Sequence, residues 1–173
     1  MNNKLLMFSL GLTLFAATSA CAQGEKASPA ATATGKISDA NITISYSSPA
    51  VKARKIWGDL VPYDKAWRAG ANGATTFETD KAITVEGKSL PAGKYSLFFI
   101  PGEKEWQAIF NSEAGQWGIK RTGEANFDPA KNVLTVTAKP GASSTMNERL
   151  LYQVTGRGFI LKWENLELPV AIK

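Results

Sequence analysis

Hydrophobic alternation with a period of two residues is the feature that most limits what this chain can fold into. The apolar members of these runs are Ile42, Ile44, Tyr46, Ile83, Val85, Tyr95, Leu97, Phe99, Trp106, Ala108, Phe110, Leu134, Val136, Ala138, Leu150, Tyr152 and Val154. Successive side chains of a strand point to opposite faces, so the pattern predicts strands with one buried face. Turn-forming residues separate the runs at intervals typical of a sandwich or barrel. We therefore predict an all-β fold, a single antiparallel β-sandwich, for which a jelly roll is one topology.

The last strands of this sandwich are predicted to form a hairpin. Alternating apolar residues precede and follow the dipeptide Glu164-Asn165, which is typical of a tight turn. They are Phe159, Leu161, Trp163, Leu166, Leu168, Val170 and Ile172.

One predicted strand is apolar on both faces, because Phe98 and Ile100 alternate with Tyr95, Leu97 and Phe99. Such a strand is normally central in its sheet and covered on both sides. We expect loops or the N-terminal segment to cover its outer face, and a partner protein is the alternative.

The first 22 residues have the pattern of an export signal. Lys4 precedes a mainly apolar run, residues 5–17, and small residues follow it. That run is shorter than the roughly 20 apolar residues that a membrane-spanning helix needs. We predict a signal peptide over residues 1–22 and a periplasmic or secreted mature chain that has no transmembrane helix.

The processing of this signal has two alternatives. Cleavage after Ala22 follows the small-x-small rule and removes Cys21 from the mature chain. Residues 18–21 also resemble a bacterial lipobox, in which Cys21 is lipidated and the protein is an outer-membrane lipoprotein. Only the second alternative places the protein on a membrane.

The mature chain is predicted to contain one domain. Residues 23–36 carry no large apolar side chain, which predicts a flexible tether before a β-sandwich domain at residues 37–173. The chain has no histidine, and Cys21 is its single cysteine. These counts exclude a histidine base, a cysteine nucleophile and imidazole or thiolate metal sites in the mature protein. We predict no cofactor and no metal, and the net charge of +5 comes without a nucleic-acid motif, so we expect no nucleic-acid partner.

Carboxylates are the main catalytic candidates that remain. Glu78 and Asp80 are two residues apart in an extended segment, so both project from one face. They form either an acid/base pair for carbohydrate chemistry or, as we expect, part of a solvated strand face beside Lys81. We assign no catalytic residue.

Aromatic residues outside the regular strands are the better functional candidates. Trp106 and Trp163 are in phase with apolar neighbours and are predicted to be in the core. The candidate ligand-binding residues, all in irregular segments, are Trp57, Tyr63, Asp64, Trp67, Arg68, Asn72 and Trp117. Indole rings on loops make stacking platforms for sugars, with polar neighbours as hydroxyl partners. The alternative is that these tryptophans plug the open ends of the sandwich.

Four motifs carry a resemblance to a known family. They are Trp57-Gly58-x-Leu60-Val61-Pro62-Tyr63, Trp67-Arg68-x-Gly70-Ala71-Asn72-x-Ala74-Thr75-Thr76-Phe77, Leu90-Pro91-Ala92-Gly93-Lys94-Tyr95-Ser96-Leu97 and Trp117-Gly118. Over residues 40–172 the chain resembles the exported bacterial family known as domain of unknown function 2911. The resemblance implies an exported, mainly β domain and names no substrate. The family commonly has threonine where Ala69 stands and glutamate where Gly73 stands. This chain lacks that carboxylate, which argues against an acid/base site in the loop.

The function predicted from the sequence is binding. A sandwich that presents tryptophan, arginine and asparagine on loops is suited to an envelope binding or accessory module, with a glycan or an envelope protein as its partner. A structural or assembly protein that uses the doubly apolar strand is the first alternative. A carboxylate-dependent carbohydrate-active enzyme is the second.

Overall fold

The computed structural model describes residues 27–173 as an all-β chain in which the paired strands are antiparallel. The strands are β1 (Ala30–Ile37), β2 (Ala40–Ser47), β3 (Thr75–Thr79), β4 (Ile83–Val85), β5 (Lys88–Leu90), β6 (Gly93–Ile100), β7 (Trp106–Asn111), β8 (Asn132–Ala138), β9 (Gly141–Thr155) and β10 (Gly158–Ala171). A single 3-10 turn, Pro129–Lys131, precedes β8. The prediction of an all-β, antiparallel fold is confirmed.

The largest sheet has six strands in the order β1-β2-β3-β6-β7-β8, while β4 pairs with β5 and β9 pairs with β10. Neighbours in the large sheet follow the chain order, apart from the β4–β5 hairpin inserted between β3 and β6. This order is a meander. It differs from a jelly roll, in which strands from two Greek keys alternate.

The inner face of the large sheet and the β9–β10 hairpin share one hydrophobic core. The large sheet contributes Ile42 and Ile44 from β2, Phe77 from β3, and Leu97 and Phe99 from β6, all fully buried. The opposite layer contributes Leu150, Tyr152, Phe159, Leu161, Trp163, Leu168 and Val170. Apart from Phe77, these are residues that the alternation predicts to face inward, and the burial of the whole set supplies the main stabilisation of the domain.

Strand β10 reverses its direction at Glu164, which has a φ of 56°. The amide nitrogen of Ile172 donates to the carbonyl of Arg157 at 2.9 Å, and a Cβ on Gly158 would overlap the carbonyl of Val170. The two halves of β10 therefore lie side by side, as the predicted C-terminal hairpin requires. A positive φ at the first turn residue matches the two-residue turns that suit twisted strands.

The predicted tether is wrong for residues 30–36, because they form most of β1. All eight residues of β1 pair with β2, from Ala30 opposite Ser47 to Ile37 opposite Ala40. The alternating alanine and threonine side chains are too small to give a hydrophobic period, although Ile37 is buried in the core and Ala33 packs against it. The domain therefore begins before residue 37.

The outer face of β6 is covered by the chain itself. Phe98 is fully buried and stacks on Phe127, with ring centroids 4.7 Å apart. Ile109 on β7 belongs to the same small cluster, and Ala125 and Ile100 pack against it. The segment between β7 and β8 thus covers this face, which confirms the prediction that a loop does so.

Residues 1–26 are outside the described part of the chain. The predicted signal peptide, the lipidation of Cys21 and the first residues of the predicted tether fall there and stay predictions. Within residues 27–173 the structure contains no helix with the length and hydrophobicity to cross a bilayer.

Candidate binding cleft

A loop that interrupts the line of strand β3 positions the candidate residues. Trp67 exchanges backbone hydrogen bonds with Phe99 on β6, at 2.7 and 2.9 Å, and Thr75 lies opposite Leu97 on the same strand. Trp67 and Thr75 are therefore only two positions apart along the same edge of β6, although they are eight positions apart in sequence. Residues 68–74 leave the sheet between them and carry Arg68 and Asn72.

This loop is fixed from below by hydrogen bonds to the carbonyl of Ala69. The hydroxyl of Tyr152 donates to it at 2.8 Å and that of Thr75 at 2.9 Å. Ala69 itself is fully buried with a φ of 57°, a left-handed conformation that costs free energy in a residue with a side chain. Burial and the nearby Tyr46 raise the pKa of Tyr152 well above its ordinary value, so the hydroxyl keeps its proton and remains a donor.

Four tryptophans pack together beneath the loop. Trp57 makes edge-to-face contacts with Trp67, Trp106 and Trp163, with centroid distances between 4.9 and 5.9 Å, and Trp67 stacks on Trp163 at 6.0 Å. Trp67 is 8% exposed, and its indole nitrogen donates to the carbonyl of Gly70. We call these four residues the tryptophan cluster. Trp57 and Trp67 therefore pack against the core tryptophans and do not present their rings as open stacking platforms.

A cleft of about 300 Å³ lies between this cluster and the loop. Three of the seven candidate residues line it: Trp67, Arg68 and Asn72. Leu60 and Val61 form an apolar part of its wall. We call this the Arg68 cleft.

Arg68 is the most unusual residue of the cleft. Its Nε is buried and has no partner, and its guanidinium forms neither a hydrogen bond nor an ion pair with the residues that the structure describes. Desolvation by burial lowers the pKa of Arg68. Gly118 packs against the stem of this side chain, and a Cβ there would overlap Arg68 Cδ and lie 2.8 Å from the carbonyl oxygen of Asn72. The Trp117-Gly118 motif thus allows the close approach that holds Arg68 in place.

The other polar groups around the cleft are also mainly donors. The indole nitrogen of Trp163 is buried without a partner, as is that of Trp57 next to it. Arg54, a second guanidinium in the lining, donates through Nε and Nη2 to the carbonyls of Val51 and Ala50. No aspartate or glutamate lines the cleft within residues 27–173. This arrangement suits a ligand that brings acceptor oxygens.

The four remaining candidates lie outside the cleft lining. Tyr63 and Trp117 are exposed, by 36% and 59%, while Asp64 is exposed and donates its backbone amide to Pro101. The Trp117 segment nevertheless runs beside the loop, because Gly118 donates to the carbonyl of Asn72 at 3.1 Å. Trp117 is thus a large ring on the surface close to the loop, whereas Trp57 belongs to the tryptophan cluster.

The carboxylate pair of the sequence is engaged elsewhere. Glu78 lies 3.5 Å from the amino group of Lys94 on the neighbouring strand. Asp80 accepts from the backbone amide and side chain of Asn41, at 2.7 and 2.6 Å, and these bonds lower the pKa of Asp80. Both are exposed and support strand ends, as the solvated-face interpretation predicts. Residues 27–173 contain no group of three carboxylates arranged to hold a metal ion.

Comparison with protein families gives a match that covers residues 28–172. The chain belongs to the family described as protein of unknown function, DUF2911. The match includes β1, in agreement with a domain that begins before residue 37. Comparison of this DUF2911 chain with curated proteins and with solved structures found no match.

The sequence of this DUF2911 protein did not identify three of the residues that line the cleft. Arg54 stood out only as part of the basic stretch with Lys52 and Lys55, and Leu60 only as part of a motif. Trp163 was predicted to be in the core, and it is 1% exposed, but it also lines the cleft. Trp163 is far from the loop along the chain, so the sequence did not indicate this role. Strand β10 brings Trp163 to the cleft only when the two layers pack.

Proposed function

We propose that this DUF2911 protein is an exported, non-catalytic binding module and that its ligand, a glycan, binds in the Arg68 cleft. The observation that carries the proposal is Arg68 itself: a half-buried guanidinium without a partner, at the edge of a cleft lined by further donors. A buried donor without a partner costs about 1 to 3 kcal/mol. A ligand that supplies the missing acceptor would explain why the fold retains this unpartnered donor.

The composition of the cleft supports a sugar as the ligand. Leu60, Val61 and Trp67 offer apolar surface, Arg68 offers donors, and Asn72 offers a side-chain amide whose nitrogen also donates to the carbonyl of Ser28 at 3.4 Å. Ligand sites commonly combine an apolar wall with a few polar groups that set orientation. A sugar ring presents both an apolar face and many acceptor oxygens, so it matches both parts of the wall.

The binding interpretation agrees better with the structure than either alternative. Glu78 and Asp80, the acids that a carbohydrate-active enzyme would need, are bound to Lys94 and Asn41. The structural or assembly alternative relied on the outer face of β6, where Phe127 already covers Phe98. Neither alternative has a specific observation in its favour.

The test is a titration of intrinsic tryptophan fluorescence with neutral oligosaccharides, acidic oligosaccharides and cell-wall fragments. Trp67 and Trp163 line the cleft, so their emission reports its occupation. We expect a saturable change with at least one oligosaccharide that is lost in Arg68→Met and weakened in Asn72→Ala. Arg157→Met is the matched control, because Arg157 lines a different cavity, of about 760 Å³. A flat response over the whole panel, or a response that both cleft variants retain, contradicts the proposal.

A further inference from the structure

We infer that the Arg68 cleft binds an oxyanion of its ligand, a carboxylate or phosphate group carried on a sugar, with Arg68 as the counter-charge. This inference deepens the proposed function and rests on it. It adds a chemical class of ligand, an acidic sugar, where the proposed function requires only a glycan.

The first argument is the charge balance of the cleft. A charge that is partly removed from water is unfavourable unless an opposite charge accompanies it. Arg68 has lost part of its hydration, which the lowered pKa also reflects, and it has no acidic partner among residues 27–173. An oxyanion from outside would supply that partner and form charge-assisted hydrogen bonds with the planar guanidinium.

The second argument is the surroundings of Arg68, which add positive charge. Arg54 lines the same cleft and uses only Nε and Nη2 on backbone carbonyls. Lys52 and Lys55 are exposed on the neighbouring segment. Glu148 accepts from the backbone amide of Lys52 at 3.0 Å, and the exposed Asp59 is next to Leu60 in the chain, so the four cations outnumber these two carboxylates. The potential at the cleft therefore favours an anion.

The third argument is independent of charge. Trp163 is buried, lines the cleft and has an indole nitrogen without a partner. An indole N–H can only donate, so a ligand atom that reaches this nitrogen must be an acceptor, as at Arg68.

The size of the cleft limits the ligand. A volume of about 300 Å³ is at the lower end of the range for ligand pockets, about 300 to 1,000 Å³. It suits one sugar unit, such as the acidic end of an oligosaccharide, and not several consecutive units.

The experiment is isothermal titration calorimetry of the purified protein with matched probes. Trigalacturonate and neutral galactotriose differ in their carboxylates, while glucose 6-phosphate and inorganic phosphate separate a phosphate from a carboxylate. We expect an acidic probe to bind at least about tenfold more tightly than its neutral counterpart. Binding should weaken when salt is raised from about 0.02 M to about 0.5 M, because the added ions screen the charges.

Three variants make the test specific. Arg68→Met should lower the affinity for the acidic probe at least about tenfold, and Arg68→Lys should retain part of it, since lysine keeps the charge but loses the planar fork. Arg157→Met should leave the affinity unchanged. Binding of a phosphate probe but not of trigalacturonate identifies phosphate as the oxyanion and supports the inference.

The experiment distinguishes a failure of the oxyanion inference from a failure of the glycan-binding proposal. Equal affinity for galactotriose and trigalacturonate, lost in Arg68→Met, overturns the oxyanion inference and leaves the glycan-binding proposal standing. Acidic probes that bind the Arg68→Met variant as tightly as the unaltered protein overturn the role of Arg68. No heat with any of these probes, together with a flat fluorescence response to the oligosaccharide panel, overturns both.

Discussion

The tryptophan cluster and the Arg68 cleft share a wall and differ in how well their groups are matched. In the cluster, each of the four rings lies 4.9 to 6.4 Å from at least two of the others, and the indole nitrogen of Trp67 has its acceptor. In the cleft, the Arg68 guanidinium has no partner among the described residues. Adjacent residues of one loop therefore serve two purposes: Trp67 stabilises the fold, and Arg68 remains available to a ligand.

The largest expected effect is that of Trp67→Ala. Removing a ring buried against three other tryptophans leaves a cavity, and we expect the free energy of unfolding to fall by about 3 to 5 kcal/mol. Chemical denaturation monitored by circular dichroism measures it. Trp117→Ala is the control, because the Trp117 ring is 59% exposed and should change stability by less than about 0.5 kcal/mol. Equal losses in the two variants would remove the distinction between buried and exposed tryptophans.

Gly118→Ala tests the contact that holds Arg68 in place. The added Cβ would overlap the Arg68 stem and lie 2.8 Å from a backbone carbonyl, so we expect a loss of about 2 kcal/mol and a displaced arginine. Gly141→Ala is the matched control, because a Cβ at Gly141 meets no atom within 4 Å. Chemical denaturation of both variants measures the two free energies of unfolding. Unchanged stability in Gly118→Ala would contradict the prediction.

Tyr152→Phe tests the hydrogen bond under the loop and has a pH signature. We expect a cost of about 1 kcal/mol at pH 7, because the carbonyl of Ala69 loses one of its two donors. The pKa of Tyr152 is raised in the folded state, so its contribution is complete below its ordinary pKa of 10.0 and declines as pH rises above it. The stability difference between the unaltered protein and the variant should therefore shrink above pH 10. A difference that is constant between pH 7 and pH 11 would argue against this origin.

Arg68→Met has an expected effect as small as that of Tyr152→Phe, and its direction is opposite to those of the other variants. Methionine keeps the apolar stem and removes an unpartnered buried donor, so we expect the free energy of unfolding to rise by about 1 kcal/mol. Thermal and chemical denaturation measure this, with the exposed Arg157→Met as the comparison. A clear loss of stability would show that Arg68 contributes to the fold and would weaken the contrast with Trp67.

The architecture was accessible from the sequence because strand alternation is a local signal. Ile42, Phe99, Trp106 and Val136 face the core as their period predicts, and the turn at Glu164 reverses β10. Strand β1 was not predicted, because alanine and threonine give no hydrophobic period, although its backbone pairs with β2 along its whole length. The alternation therefore predicts strands whose buried side chains are large and misses a strand whose side chains are mostly small.

The candidate site was predicted only in part. The loop motif pointed to Trp67, Arg68 and Asn72, which line the cleft, but also to Tyr63 and Trp117, which do not. The sequence showed that tryptophans lie in irregular segments, and it could not show which of them are buried. Burial depends on neighbours that are distant along the chain, such as Trp106 and Trp163 around Trp57.

The sequence by itself determined the fold class, the turn of the C-terminal hairpin and the chemical character of the loop, since each follows from residues close together in the chain. Only the tertiary structure decided that Arg68 has no partner, that Trp163 joins the cleft wall and that Phe127 covers Phe98. Those outcomes depend on how two layers pack, because packing sets which donors lose their water and which find an acceptor.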